Sequence, residues 1–555
     1  MNGVLKRAAQ AWAFAAILLL PNYIDLTSGA GDARMRSPVP LTRIALAHLT
    51  DMVLVALVFA GLMALLRRVA GWQKIRWALI ALLPPLLLER NLDVIPFDVP
   101  GFAVLALGLI WAGVLAFLIF KSPKIAAQIS KAGSGLLAGF AIFGLVMTWQ
   151  LGRAMMWQPG PQSFATAIPA ANPQRPRLVW ILFDELAYKP VFEARDPSLK
   201  LPNFDRLRRE STLFTDMTPI AYRTTRAVPS MQLGRIVTDV AYTPSNRYLV
   251  QFHGDDDWKT FDPNASLFGL AKQHGLTTSI VGWYIAYCPV FVGVATDCYW
   301  SNADAQDRGP TSTSASFAEN MWFPLRILFE QIVSPSRAWA DTAAWNAEGH
   351  EEAVKDLSQH ALQAVATSQA DILYLHLPAP HPPAVWDRRT GKFALGGSYL
   401  DSLDYSDRLL GQILDRLEAQ PRWANTTLLV QGDHSWRTQM WRPLPGWSAE
   451  DERISHDGQF DPRPVLMIHA PGQQNPETLA APTSVMHIHD VVSAKIEEFS
   501  KEGETRTKSL LHSCAILTQL PAQKIGHSTT GAGHDLSPHR IQELFGRGSQ
   551  TQEHD

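Results

Sequence analysis

The chain has 555 residues, of which 47% are hydrophobic and only 18% charged, with a formal net charge of -2. That length exceeds one ordinary domain, and the near-neutral balance excludes binding to nucleic acid through bulk electrostatics. The average hides a split: residues 1–155 are dominated by Ala, Leu, Val, Ile and Trp, whereas the remainder has ordinary globular polarity.

Five apolar stretches occupy the first part, at residues 8–26, 44–66, 77–96, 102–120 and 135–151. Each approaches the ~20 residues that a helix needs to cross a hydrocarbon core. The first follows Lys6 and Arg7 as a signal peptide would, but no small-residue cleavage site comes after it, so it reads as a retained anchor. Pro84 and Pro85 interrupt the third, the weakest of the five. Arg67, Arg68, Lys74 and Arg76 follow the second stretch, and Lys121, Lys124 and Lys131 follow the fourth. The excess of cations assigns both loops to the cytoplasm. Five spans then deliver everything beyond about Trp157 to the outer side, against which only Arg34, Arg36 and Arg43 in the first outer loop argue. The expectation is a multi-pass protein of the inner or plasma membrane with a periplasmic domain, its first partner the lipid bilayer.

Residues 156–177, rich in Pro, Gln and Ala, read as a linker to a second domain over 178–515. Within it, LVWILF at 178–183, ILYLHL at 372–377, TLLVQ at 427–431 and PVLMIH at 464–469 are short apolar runs suited to strands buried on both faces. Amphipathic helical patterns lie between them, notably at 351–366 and 400–417. Alternation of this kind predicts the α/β class, here an α/β/α domain with a mostly parallel central sheet behind an N-terminal transmembrane helical bundle. Residues 516–555 are rich in Gly, Ser, His and Gln and read as a disordered tail. Of three cysteines, Cys514 stands alone, while Cys288 and Cys298 are close enough to close a short loop. They form a disulfide in an oxidising compartment, or remain as two buried thiols.

In parallel sheets, ligands bind beyond the carboxyl ends of the strands. Two of the runs end there in Asp184-Glu185 and Asp433-His434. Either pair alone serves equally well as a helix cap, but both together at neighbouring strand ends would repel without a cation between them. Oxygen and imidazole ligands suit Zn2+, Mn2+, Mg2+ or Ca2+ alike. Between the pairs, Thr224 and Thr225 stand before a short helical segment that ends at Gly234-Arg235. On that segment alone they read as an N-cap. Three decoys complete the pass. Asp356 and His360 form an i,i+4 pair on a helix face, and His487 and His489 alternate along a strand or turn. Trp322, Phe323, Leu325 and Leu328 make an amphipathic stretch whose expected partner is the sheet, with a membrane surface as the alternative.

In order along the chain come LVWILFDELAY, LPNFDRL, STLFTDM, TTRAVPSMQLGR, LYLHLPAPHPP, YLDSLDYSDRLLGQILDRLE, NTTLLVQGDHSWR and DGQFDPRPVLMIHAPG. Together, over residues 176–500, they resemble the sulfatase-like branch of the alkaline phosphatase superfamily. The resemblance assigns Asp184 and Glu185 to a first acidic metal pair and Asp433 and His434 to a second. Counting back from Gly234-Arg235 assigns the nucleophile to Thr224, with Thr225 as its neighbour-in-waiting. His381 falls on a substrate-contacting histidine, His376 matches a histidine of membrane phosphotransferases less closely, and His456 belongs to a late loop that often adds a further His or Lys.

The departures shape the expected chemistry. Main-class sulfatases carry Cys or Ser in Cys-x-Pro-x-Arg, whereas here Thr224 is followed by Arg226 and Val228 at the Pro and Arg positions. A threonine nucleophile instead resembles lipoteichoic-acid synthases and lipid A phosphoethanolamine transferases, which share the N-terminal spans. Those enzymes have a lone Glu followed by Ser where this chain has Asp184-Glu185. The resemblance implies in-line displacement at phosphorus, with a phospholipid head group as donor and an envelope lipid or glycan as acceptor. Hydrolysis of a phosphodiester or sulfate ester by water is the alternative. A catalytically silent membrane scaffold is the alternative outside enzymology.

Overall fold

Long runs of apolar residues without strand-like alternation fold the first part of the chain into helices. In the computed structural model, which describes residues 3–27, 37, 40–91, 101–168, 174–242, 247–301 and 315–500, these are α1 (Gly3–Thr27), α2 (Thr42–Leu66), α3 (Trp72–Arg90), α4 (Gly101–Lys121), α5 (Pro123–Gly139) and α6 (Ala141–Met156). Among the described residues, three stretches are long and apolar enough to cross a membrane: Gly3–Asn22, Thr42–Leu66 and Lys124–Met156. Ala106–Lys121 is apolar but shorter. The helix α3 runs through Pro84 and Pro85 without breaking, yet is not one of these three. Part of the stretch at 77–96, and the whole tail at 516–555, lie outside the described residues. Ala16, Leu19, Ile44, Met147 and Leu151 bind α1, α2 and α6 to one another.

The second part is built on one sheet. Its strands are β1 (Ser163–Ala165), β2 (Arg177–Phe183), β3 (Thr212–Phe214), β4 (Thr278–Trp283), β5 (Asp297–Ser301), β6 (Ile372–Leu377), β7 (Thr426–Gly432), β8 (Leu466–His469) and β9 (Glu477–Leu479). Their spatial order is β1-β5-β4-β6-β2-β7-β8-β3-β9. The run from β5 through β4, β6 and β2 to β7 is parallel, and β1, β8 and the pairing of β8 with β3 are antiparallel. The four apolar runs are thus all strands of this mixed, mostly parallel sheet. The presumed linker is not featureless: Ser163–Ala165 is the edge strand, paired with Asp297–Ser301.

Period-two alternation divides β2 between two cores. Leu178, Trp180 and Leu182 face one layer, with Val228, Met231, Ile488 and Val492 from helices α7 (Thr224–Leu233) and α11 (His487–Ser500). Val179, Ile181 and Phe183 face the other, with Leu357 and Val365 of α9 (Pro335–Thr367) and Leu403 and Leu410 of α10 (Tyr399–Glu418). Each such side chain, fully buried, stabilises by about 1.5–3 kcal/mol. The result is an α/β/α sandwich. A disulfide joins Cys288 to Cys298, with Cα atoms 5.6 Å apart. Of the decoys, Asp356 and His360 are the expected helical pair, at 3.2 Å, with the Tyr299 hydroxyl donating to Asp356. His487 and His489 lie on the helix α11, not on a strand. The amphipathic stretch forms α8 (Phe317–Val333), which packs on α2 rather than on the sheet, because Leu325 and Leu328 join the core of the N-terminal helices.

Candidate active site

Register brings the two acidic pairs together. In the parallel pairing of β2 with β7, Phe183 stands opposite Gly432, so the next residues, Asp184 and Asp433, leave the sheet side by side. On the other flank of β2, His376 of β6 stands opposite Leu182 and aims from the same end. Gly432 is needed here: a Cβ would lie 2.5 Å from the carbonyl oxygen of Leu186, where the chain turns back over the strand end.

Thr224 enters from the first turn of α7, where the backbone N–H groups point outward and favour negative charge on a nearby oxygen. Its Oγ1 lies 3.0 Å from Asp184 Oδ2 and 2.8 Å from Asp433 Oδ2. The hydroxyl has one proton for two carboxylates, so one contact requires a further proton or a cation. Thr225, one residue on, is only half buried, and the contacts to both carboxylates belong to Thr224. The far end of α7 is fixed by Gly234, whose φ of 62° suits glycine. There His489 packs against Gly234 and its Nδ1 donates to the Met231 carbonyl at 2.9 Å.

Charges and orphaned atoms both indicate a cation. Asp184, Glu185, Asp433, His434 and His376 are all buried. The Nδ1–H of His434 donates to the Ser435 carbonyl at 3.0 Å, which leaves the lone pair on Nε2. Among the described residues that Nε2 has no hydrogen-bond partner, and neither do Asp184 Oδ1 and His376 Nε2. Unpaired buried groups of this kind cost about 1–3 kcal/mol each. They lie close: His434 Nε2 is 3.3 Å from Asp433 Oδ2 and 3.8 Å from Asp184 Oδ1, and His376 Nε2 is 3.9 Å from Asp184 Oδ2. Asp184, Asp433 and His434 offer ligand atoms within 4.8 Å of one another, as do Asp184, Glu185 and His381. Two carboxylates and an imidazole nitrogen make a donor set that fits a divalent ion.

Burial raises the Asp184 carboxyl well above its usual range, and the neighbouring Asp433 and Glu185 carboxylates push the same way. Burial also works against the charge on Asp433, but His434 and His376, with the Glu185 N–H, hold it below its usual value. Burial pushes His376 down to about 4 and lowers His434 as well. All these imidazoles are therefore neutral at pH 7, the state that binds metals.

Glu185 has a second role. It sits at φ 62°, a left-handed conformation unusual for a non-glycine residue. Three contacts hold it there: its N–H donates to Asp433 Oδ1 at 3.1 Å, its carbonyl accepts from the Tyr399 hydroxyl, and its carboxylate pairs with Arg437. The Trp441 indole N–H adds a bond to Glu185 Oε2 at 2.9 Å. Arg437 also donates to His381 Nε2 at 3.1 Å, and His381 lies 3.8 Å from Glu185. Burial, then Arg437, then His350 and His434 hold His381 well below its ordinary value. His381 thus works as a neutral hydrogen-bonding group rather than as a proton donor. His456 sits exposed in a turn at φ 50°, followed by Asp457 and Gly458, also left-handed; no contact joins it to the carboxylates among the described residues.

Arg437, Tyr287 and Trp441 escaped the sequence reading. Arg437 stands in the same GDHSWR segment as the second acidic pair, four residues after Asp433, and its position beside a strand end was the available signal. Tyr287, whose hydroxyl lies 2.8 Å from His376 Nδ1 and 3.1 Å from the Tyr374 hydroxyl, comes from a separate short helix and left no trace in the sequence.

Residues 176–493, more than half of the chain, match the family described as Sulfatase. The chain belongs to the sulfatase family. Its match to the curated N-acetylgalactosamine-6-sulfatase of Mus musculus is 22% identical over 275 residues, 48% of this chain and 52% of that protein. The Rattus norvegicus protein of the same name matches at 22% over 48% of this chain and 51% of its own. The chain therefore spans about half the length of the curated relatives it matches. Among solved structures, a protein of the alkaline phosphatase superfamily from Vibrio parahaemolyticus is similar at 16% identity and TM-score 0.34, covering 59% of this chain and 68% of that one. The phosphonate monoester hydrolase of Agrobacterium radiobacter is similar at 12% identity and TM-score 0.31, covering 60% and 78%. The sulfatase-family region contains every candidate site residue, from Asp184 to His456, and leaves the N-terminal helices outside it.

Proposed function

We propose that this sulfatase-family chain is a membrane-anchored, metal-dependent transferase that moves a phosphoryl-linked head group by way of Thr224. The observation that carries the reading is the Thr224 hydroxyl held 3.0 and 2.8 Å from the buried carboxylates of Asp184 and Asp433. Asp184, Asp433 and His434 would hold the divalent cation, with His376 and Glu185 at its edge. When bound, the ion supplies positive charge beside the hydroxyl and beside the oxygens on phosphorus.

The chain's own residues account for the rest. Thr224 Oγ1 attacks phosphorus and its proton passes to a flanking aspartate; the bond from phosphorus to the leaving oxygen breaks, and that oxygen takes up a proton from water as the aspartate releases its own. A phosphothreonine results, and an acceptor hydroxyl then displaces Thr224 and restores its proton. The guanidinium of Arg437 and neutral His381 face the developing charge, the kind of preorganised donors that stabilise such transition states. Support for phosphorus over sulfur comes from Thr224, since the modified nucleophile of sulfatases arises from Cys or Ser. The three candidate spans among the described residues support a donor and acceptor carried by the envelope, and the cations after the second and fourth apolar stretches support a site on its outer side.

A second reading, hydrolysis of a sulfate ester by water, is favoured by the family match and by the sulfatase names of the curated relatives. Turnover of bis-p-nitrophenyl phosphate and p-nitrophenyl sulfate by the detergent-solubilised full chain separates them. The proposal expects metal-dependent release from the phosphodiester that Thr224→Ala reduces by about 10³-fold or more. Sulfate turnover that survives in Thr224→Ala would overturn it.

A further inference from the structure

The helix α8 has two faces, and among the described residues only one has a partner. Phe323, Ile327 and Leu328 are buried, Phe323 stacked on Trp345 and Leu328 in the core of α1, α2 and α6. On the opposite side Trp322 is 63% exposed, Phe329 65% and Val333 65%. Spacings of seven and four residues put these three in one stripe at 3.6 residues per turn. Arg326, beside the stripe, turns its guanidinium to Asp341 at 3.1 Å.

The position of this stripe indicates what covers it. The Arg43 guanidinium at the start of α2 donates to the Ala315 carbonyl at 3.0 Å, just before α8 begins. The neighbouring Thr42 hydroxyl donates to the Met155 carbonyl at 3.1 Å, at the end of the last candidate span. Two candidate spans therefore end at one level, and α8 is tied to that level. One turn into α2, Leu46 begins the exposed apolar side that continues through Val53, Leu57 and Leu62. The chain thus enters α8 at the rim of that surface. Tryptophan and phenylalanine beside arginines are the composition that settles where headgroups meet acyl chains.

We propose that α8 lies in the plane of the membrane interface, with Trp322, Phe329 and Val333 immersed in lipid. The inference rests on the reading of the N-terminal helices as spans. Ser334 alone separates α8 from α9, and α9 places His350 Nε2 3.0 Å from the His381 carbonyl. The depth of α8 thus sets the height of the candidate site above the lipid.

Nitroxide labels report this depth directly. Single cysteines replace Trp322, Phe329, Val333, Leu57 or Arg389 in full chain carrying Cys514→Ser, reconstituted in vesicles of phosphatidylethanolamine and phosphatidylglycerol. Each label's relaxation by oxygen and by a water-soluble nickel chelate is compared. Leu57, exposed on α2, marks the hydrocarbon, and Arg389, exposed on the second domain, marks water. The expected result is oxygen-dominated relaxation at 322, 329 and 333, at a depth shallower than 57. Nickel-dominated relaxation at all three, with 57 still oxygen-dominated, overturns the interfacial helix and leaves the spans standing. Protection from both reagents at all three means that protein covers the stripe, and it overturns the proposal too. Nickel-dominated relaxation at 57 overturns the spans and the interfacial helix together.

Discussion

Removing Arg437 separates the roles of Glu185. Glu185 is fully buried and its carboxylate is paired with Arg437, whose side chain is 16% exposed. Arg437→Ala leaves that charge in the interior with the Trp441 indole N–H and the backbone N–H of residue 437 as its donors among the described residues. Breaking a buried pair from one side costs about 3–5 kcal/mol, and the retained charge-assisted bonds put this case near about 3 kcal/mol. For a domain of this size, at about 2.1 cal/mol/K of unfolding entropy per residue, that corresponds to a fall in Tm of about 4–5 °C. Thermal unfolding of the detergent-solubilised chain in EDTA, followed by tryptophan fluorescence, measures it. The double variant Glu185→Gln with Arg437→Ala has no stranded charge and should recover most of the loss. Excess divalent cation should stabilise either chain, by about 2.7 kcal/mol at a hundred times its own Kd, and at equal cation concentration should stabilise Arg437→Ala more than the parent if the freed Glu185 tightens binding. A single variant with unchanged Tm in EDTA would refute the claim that Arg437 neutralises a buried Glu185.

Three further outcomes follow from the same geometry. His434→Ala removes a proposed ligand whose lone pair faces Asp184 and Asp433, so the Kd for Mn2+ measured by calorimetry should rise by at least about tenfold; an unchanged Kd would remove His434 from the ligand set. Burial raises Asp184 in the metal-free site, so below that raised value the cation must displace a proton. The apparent Kd should therefore increase as pH falls, by up to about tenfold per unit, while the neutral histidines contribute no such dependence until about pH 4 in the case of His376. Cys288 and Cys298 close a loop ten residues apart, and replacing both by serine should lower stability by about 3 kcal/mol in denaturant unfolding, with loss of the wild-type response to reductant.

The strands of the sheet were legible because burial on both faces demands unbroken apolar runs, and 178–183 or 427–431 have no competing helical period. The acidic pairs were legible for a related reason: a charged residue directly after such a run has nowhere to go but the sheet's carboxyl edge. Choosing Thr224 over Thr225 depended on a resemblance, since two adjacent threonines differ only in which way the first turn of α7 points them. Arg437 and Tyr287 were out of reach because their roles depend on how loops fold back over the strand ends, and local pattern does not encode that. The misplacement of α8 has a similar cause. Its apolar period shows a buried face but not which neighbour buries it, and the N-terminal helices compete with the sheet for that role. Ser163–Ala165 reads as linker because three residues at a sheet edge carry too short a pattern to be seen.

The central claim is that a divalent cation and the Thr224 hydroxyl share one site at the ends of β2 and β7. Anomalous diffraction from crystals of the full chain grown with Mn2+ tests it most directly. The account predicts a single strong peak within bonding distance of Asp184, Asp433 and His434, with Thr224 Oγ1 in the same coordination sphere. A manganese peak elsewhere, or one at these ligands with Thr224 turned out of reach, would contradict it.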